Sequence, residues 1–559
     1  MHEHLGAIYT RNLHQWLLIA PIIGITVGLV ITGIALIILR LLWPAILTCY
    51  LHHPWTIVPG VVLGFVITGL VMQYWTPDPD EHSTEEIIRA YHSHGHVEMQ
   101  PFFSKLLAAI TTVGFGGSAA LEGPSIYGGG ALGSWLCTQF RRFRGDALDR
   151  RIMLISGAAA GMAAVFRAPL TGLVFALEMP YKDDLAHEAL LPSLIASVIS
   201  YTTQALFLGT VPLFDFESKG SFSGIDLMWS AVLGAMVGLT AMMFSIAFRR
   251  IRRFVMEWRL QHWAKLAAGG LLTGLCGLIF VSVFKDSLIP LGPNYEAVGQ
   301  ILNRHHSSLE LLVFAVMKLA ATISSLAFGG VSAMFVPLFL AGGSLGSAFG
   351  QVAGHAASHE LYAAVGMAAF IAAGYKTPLA AVTFIAETTG GHAFLIPTLI
   401  GAAVAYAVSG DTSVSGEQQL RAGIGVHELR EIEVREIMRR PLKGIPASLT
   451  LREFVDSIPP ADLHSSFPVL AGSRILGTIS AWTLLRISPE KWSQTTVADA
   501  ADRGVIRISP DCNLVEASRL LRGDSSFLVV TSADGEMEGV VTKADILGVL
   551  QGQQPASHK

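Results

Sequence analysis

The amino-acid sequence predicts an all-α polytopic membrane protein that carries a small α/β module at its C-terminal end. Three observations lead there. Several charge-free apolar stretches are long enough to cross a bilayer. The apolar part repeats itself internally. The composition changes abruptly near residue 424.

Hydrophobic residues make up 52% of the chain and charged ones only 14%, too few charges for an ordinary soluble protein of 559 residues. A helix needs about 20 apolar residues to cross a bilayer. Trp16–Leu39, Thr56–Thr76, Ala189–Phe214, Leu227–Phe248 and Leu266–Phe284 meet that need. Leu319–Gly354 is longer, and Gly329–Gly330, Pro337 and Gly342–Gly343 are expected to break it. Broken backbone survives in a membrane only when protein buries it or it lines a cavity.

The first apolar run has no small-residue cleavage site, so it reads as a retained helix. Basic residues cluster at Arg141, Arg142, Arg144, Arg150 and Arg151, and again at Arg249, Arg250, Arg252 and Arg253. The positive-inside rule puts both clusters on the cytoplasmic side. A multi-pass protein of the plasma (inner) membrane is expected, with its N-terminus and tail in the cytoplasm. The membrane flanks of these clusters argue against a nucleic-acid partner.

The internal repeat has two parts. Pro124, Gly129, Gly130, Leu132, Gly133 and Ser134 recur 213 positions later as Pro337, Gly342, Gly343, Leu345, Gly346 and Ser347. Pro169, Leu170, Phe175 and Glu178 recur 209 positions later as Pro378, Leu379, Phe384 and Glu387, with Arg167 and Lys376 two residues ahead of the prolines. Repeated halves typically build transporters, with broken helices aiming their N-termini at an ion near the midplane. Pro124 and Pro337 each suit the first turn of a helix. Free N–H groups and the positive end of the dipole make such a start an anion site. Two repeated starts therefore predict one anion site between two halves.

These residues resemble the CLC family of chloride channels and chloride/proton antiporters. Ala120–Pro124 looks like its Gly-Arg-Glu-Gly-Pro motif, and Ala333–Pro337 looks like its Gly-x-Phe-x-Pro motif. The resemblance spans roughly residues 15–423. It implies a CLC-like inverted-repeat helical domain, a homodimer, and one anion pathway per subunit with chloride as ligand. Glu122 matches the gating glutamate. Gly123, Met334 and Phe335 match positions whose backbone N–H groups face the anion. An ionised carboxylate beside a helix start can occupy the donors an anion would use, and a protonated one releases them. Glu122 is therefore expected to gate the path; the alternative is a plain helix cap.

Three departures from the family pattern bear on mechanism. His82, within Glu81–Glu85, stands where the family's first anion motif has serine; it either donates to an anion or is a loop histidine. Lys105, 17 residues before Glu122, supports that register. Met179 falls on the inner proton glutamate, and methionine carries no proton. Glu178 beside it points elsewhere on a helix and pairs in the repeat with Glu387, which suggests a structural role for both. Val414 falls on the inner-gate tyrosine, so both hydroxyls of the inner constriction are expected to be missing.

The tail resembles a pair of CBS domains, and its repeats are Val434–Leu485 and Val497–Leu550. The expected domains are thus a transmembrane unit, 1–423, and a cytoplasmic CBS-pair unit, 424–559. Phe467–Leu470, Ile475–Ile479, Phe527–Thr531 and Gly539–Val541 read as strands, and Asn513–Leu521 and Lys543–Leu550 as helices. Thr542 and Asp545 match positions that contact an adenine nucleotide in the family, while the first repeat has Thr483 where the motif has Asp. The tail either binds a nucleotide in its second repeat or is a packing module without ligand.

No cofactor is required by this reading and no metal site is expected. Cys49, Cys137, Cys276 and Cys512 form no ligand or disulfide pattern. His92, His94 and His96 are the main metal candidate and read more simply as a solvated loop. No nucleophile–base pair stands out, which argues against an enzyme. The leading expectation is a chloride channel or loosely proton-coupled transporter. A chloride/proton antiporter using a route other than Met179, and a CBS-regulated transporter of nitrate or fluoride, stay open.

Overall fold

The computed structural model describes residues 2–80, 83–140, 147–210, 213–214, 222–285, 287–303, 306–353, 359–389, 394–420, 432–439, 444–457, 466–472, 474–480, 483–484, 487–521, 527–532, 534 and 536–550. His82, Arg141, Arg142 and Arg144 lie outside the described residues. The chain forms two compact units, Met1–Leu420 and Arg421–Lys559.

The first half of the larger unit runs α1 (His2–Leu36), α2 (Trp43–His52), α3 (Ile57–Trp75), α4 (Ser83–His92), α5 (Phe102–Gly114), α6 (Glu122–Gln139), α7 (Ala147–Phe166), α8 (Pro169–Glu178) and α9 (Leu190–Leu208). The second runs α10 (Gly224–Met256), α11 (His262–Val283), α12 (Glu296–Asn303), α13 (Ser308–Leu326), α14 (Phe335–Val352), α15 (His359–Tyr375), α16 (Pro378–Thr388) and α17 (Leu395–Val408). A π-type turn over Ile37–Leu42 joins α1 to α2, where Pro44 can donate no backbone bond. Among the described residues seven helices are long and apolar enough to cross a membrane. Large apolar side chains such as Leu18, Leu206, Met243 and Val283 stand exposed on them, as a lipid-facing surface requires.

The sequence repeat is a structural repeat. Helices α6 and α14 start at repeat-equivalent residues and are both 18 residues long. Helix α6 packs on α7 as α14 packs on α15, and α1 lies on α9 as α10 lies on α17. Glycines set the spacing. A Cβ on Gly129 would lie 2.1 Å from the Gly157 carbonyl, and one on Gly342 would lie 2.3 Å from the Gly366 carbonyl. Small residues let backbones touch where lipid supplies no hydrophobic drive. This corrects the expectation for Leu319–Gly354. Residues 327–334 break that stretch, but Gly342–Gly343 sit inside α14, where they permit close packing and do not end the helix.

Helices α8 and α16 meet across the halves and cap each other. The Glu178 carboxylate accepts from the N–H groups of Leu379 (3.0 Å) and Ala380 (2.8 Å). The Glu387 carboxylate accepts from Leu170 N–H (2.9 Å), Thr171 N–H (2.7 Å) and the Thr171 hydroxyl (2.7 Å). The C-terminal end of each helix thus reaches the N-terminus of its repeat mate, so the two run in opposite directions. The linkers repeat as well: Arg167 and Lys376 adopt left-handed backbone at φ 55° and 59°. Glu178→Ala is expected to leave one buried and one part-buried N–H group without acceptors. The cost should be about 1–3 kcal/mol, read as a lowered unfolding midpoint in detergent. Glu387→Ala should cost a similar amount.

His92 corrects the solvated-loop expectation in part. It closes α4, with Nε2 2.8 Å from the Pro180 carbonyl, whereas His94 and His96 are exposed.

The smaller unit repeats itself. One sheet has order β1 (Ile445–Pro446), β2 (Ser466–Ala471), β3 (Arg474–Ser480); the other has β4 (Arg507–Ile508), β5 (Phe527–Thr531), β6 (Met537–Thr542). In each the first pair is parallel and the second antiparallel, with a register shift late in the middle strand. The two-residue strands β1 and β4 are too short to announce themselves by alternation. Helix α18 (Leu514–Leu520) follows β4, and α19 (Lys543–Leu550) follows β6.

Candidate functional site

The starts of α6 and α14 are joined backbone to backbone. Ala120 N–H donates to the Ala333 carbonyl at 3.0 Å, and the Ser332 hydroxyl donates to the Ala120 carbonyl. Gly123 permits this approach, because a Cβ there would lie 2.6 Å from the Ser332 carbonyl carbon. Two helix N-termini therefore converge on one point, which concentrates free N–H groups and dipole ends.

Glu122 fills that point. It is fully buried, and its Oε1 accepts from Phe335 N–H at 2.5 Å. Its Oε2 has no hydrogen-bond partner among the described residues. The neighbouring Met334 N–H donates to the Tyr375 hydroxyl at 3.0 Å. Met334 N–H and Phe335 N–H thus each already hold a protein oxygen, one from a phenol and one from a carboxylate. Around them the Phe335 ring meets Phe166, Phe175, Tyr375 and Phe384 at centroid distances of 4.9–5.9 Å. In such a dry shell an anion at these donors would face little competition from water.

Tyr375 is the residue that the sequence reading missed. It corrects the expectation that the inner constriction lacks hydroxyls. Val414 lines a cavity of about 50 Å³ that reaches Met334, and its N–H donates to the Gly374 carbonyl. Beside Val414, however, the same cavity is lined by Tyr375, Thr84, Ser332 and Ser415, and so carries four hydroxyl side chains. The signal lay in the repeat. Tyr375 and Phe166 are equivalent positions, each closing a helix just before a left-handed basic residue and a helix-starting proline.

Met179 is buried after the end of α8, and its carbonyl accepts from Gln418 Nε2 at 3.1 Å. Gln418 Nε2 also donates to the Tyr375 carbonyl at 2.8 Å. Glu178 is committed to capping α16 and does not turn toward Glu122's donors. Lys105 is buried on α5 and pairs with Glu86 on α4 at 2.6 Å.

In the smaller unit, Asp545 Oδ2 accepts from Thr542 N–H (2.9 Å) and from the Thr542 hydroxyl (2.6 Å). Its Oδ1 is paired with the Arg439 guanidinium at 2.6 Å. Both carboxylate oxygens are engaged. Among the described residues no cluster of three metal-ligating side chains occurs.

Comparison with known proteins agrees with this architecture. A family model described as voltage gated chloride channel matches residues 63–410, and a CBS domain model matches residues 497–552. The H(+)/Cl(-) exchange transporter ClcA of Salmonella arizonae is 27% identical over 310 residues, 53% of this chain and just under two thirds (63%) of that protein's length. Two solved structures share the fold. A CLC-type fluoride/proton antiporter matches 73% of this chain and 98% of its own, with TM-score 0.63 and 21% identity. A eukaryotic CLC transporter matches 96% of this chain and 98% of its own, with TM-score 0.64 and 18% identity. Joined helix starts, a buried glutamate on the backbone donors and a family match over most of the membrane unit give one conclusion: this chain is a multi-pass membrane protein of the voltage gated chloride channel (CLC) family, with a CBS-type α/β region at its C-terminal end.

Proposed function

We propose that the protein conducts chloride as a channel or a loosely proton-coupled transporter, with Glu122 as the gate. The observation that carries this reading is the Glu122 carboxylate on Phe335 N–H. An ionised carboxylate there occupies the donor an anion needs. Protonation removes its charge, weakens its hold on the donor, and frees the path. Met179 offers no proton relay from the other side, which favours loose coupling.

Reconstitution in liposomes under a chloride gradient, with chloride efflux and proton uptake recorded together, tests the reading. Chloride flux without stoichiometric proton movement supports it. Uphill proton movement at a fixed ratio supports the second reading, a chloride/proton antiporter, and absence of chloride flux overturns both. The second reading draws on Tyr375, whose hydroxyl on Met334 N–H is suited to close the inner side while Glu122 opens the other. Fluoride and nitrate, run as competing anions, test the choice of substrate. A homodimer in the plasma membrane, tail in the cytoplasm, is part of the same proposal.

The tail is proposed to act without a nucleotide. A ribose at Asp545 would have to displace Arg439 and break the Thr542 cap. Calorimetric titration of the full-length protein with AMP or ATP is expected to give no binding heat. Saturable heat would show that Arg439 yields the site.

A further inference from the structure

Two cavities meet at one side chain. The cavity that reaches Met334 and Tyr375 is also lined by Glu85, from α4, and by Arg252, from α10. A second cavity, of about 20 Å³, is lined by Arg252 again, with Asp80, His262 and Lys265. A water-sized guest needs about 10–15 Å³ of such space, so each admits at least one small particle. Arg252 lines both. It is bonded to the Glu85 carboxylate, and each of the two side chains is about a quarter exposed (23% and 25%). Solvent therefore reaches the pair, and Met334, at the start of α14, lines the first cavity together with it.

The side chains of the second cavity favour an anion. Lys265 adds a second cation, with its Nζ bonded to the Met256 carbonyl at 3.0 Å. His262 is nine-tenths buried, with its Nδ1 3.7 Å from Asp80 and its Nε2 without a hydrogen-bond partner among the described residues. An orphaned ring nitrogen beside two cations leaves hydrogen-bonding capacity for a guest. Asp80, half exposed at 50%, is the opposing charge on that side.

We infer that Arg252 is an anion-binding site on the pathway, and that Glu85 is a tethered competitor for it. The logic repeats that of Glu122 at Phe335 N–H: in each place a carboxylate holds a donor that a passing anion would use. An anion arriving from the second cavity displaces Glu85 from the guanidinium and passes inward to Met334. A partly solvated pair suits exchange, because such pairs contribute little stability. This inference rests on the anion-conduction reading above. It adds a second gate, carried by Glu85 and Arg252.

The test uses full-length protein in planar bilayers, with chloride varied separately on the two faces. Glu85→Gln removes the competitor. It should lower the chloride needed for half-maximal current on one face by about threefold, the scale set by losing one partly exposed ion pair. Arg252→Gln should raise the half-saturating chloride on that same face by a similar factor. The double variant should match Arg252→Gln alone, because Glu85 acts only through Arg252. Half-saturation at the opposite face should stay at the wild-type value in all three. If Glu85→Gln does not fold, Arg252→Gln decides by itself. A conducting wild type whose half-saturation is unmoved by either substitution, or moved equally on both faces, overturns this inference and leaves the conduction reading intact. A wild type that carries no chloride overturns the conduction reading first.

Discussion

Glu122→Gln is expected to conduct chloride at a rate that varies less than about twofold between pH 5 and pH 8, a range over which one titrating site can change occupancy by up to about tenfold per unit. In the wild-type protein, flux should rise as pH falls. The sign follows from the contact. Lower pH favours the neutral carboxyl, the neutral carboxyl holds Phe335 N–H less firmly, and the donor becomes free for chloride. Glutamine is neutral at every pH and nearly the same shape, so the variant should behave like wild type at low pH. Glu122→Ala should share the pH independence. The measurement is chloride efflux from liposomes across a pH series. A full wild-type pH response in Glu122→Gln would assign the gate to another group and leave Glu122 as a cap on α6.

Gly346→Ala is expected to be the most damaging glycine-to-alanine change among the described residues. The new Cβ would stand 1.9 Å from the Tyr362 carbonyl oxygen and 2.7 Å from its carbon. Both are backbone atoms, so no side chain can turn aside. Helices α14 and α15 would have to separate, and α14 carries the Met334 and Phe335 donors. Overpacking a well-filled core costs about 1–3 kcal/mol when side chains can adjust; here the expected cost is at the top of that range or above it. Loss of monodisperse protein in detergent, or a large drop in the unfolding midpoint, checks this. Gly33→Ala is the control, since no atom lies within 4 Å of its new Cβ. It should be neutral, or more stable by up to about 1 kcal/mol through helix propensity. Equal behaviour of the two variants would refute the close-packing argument.

Glu122 is legible in the amino-acid sequence. A carboxylate two residues ahead of a helix-starting proline, in a repeated segment, already implies a helix start that attracts negative charge. Tyr375 is not legible in that way. It lies 41 residues from the donor it bonds, and its only sequence signal is equivalence to Phe166, an apolar residue that suggests no chemistry. The Val414 expectation fell short for the same reason: alignment to a motif locates a position along the chain, whereas a hydroxyl can reach the same point in space from another helix. Glu178 shows the opposite outcome. Repeat pairing with Glu387 suggested a structural role, and the reciprocal caps on α8 and α16 supply its physical form.

The sequence by itself determined the membrane character, the two repeated halves, the paired helix starts and the acidic residue set at one of them. Those properties depend on local composition and on self-similarity, which survive in one dimension. Only the tertiary structure decided that Glu122 reaches Phe335 N–H across the halves, that Tyr375 takes Met334 N–H, and that Arg252, bound to Glu85, lines two cavities. Each of these joins residues distant in the chain through a contact a few ångströms long. Such contacts depend on how closely helices approach, and here glycine packing sets that approach.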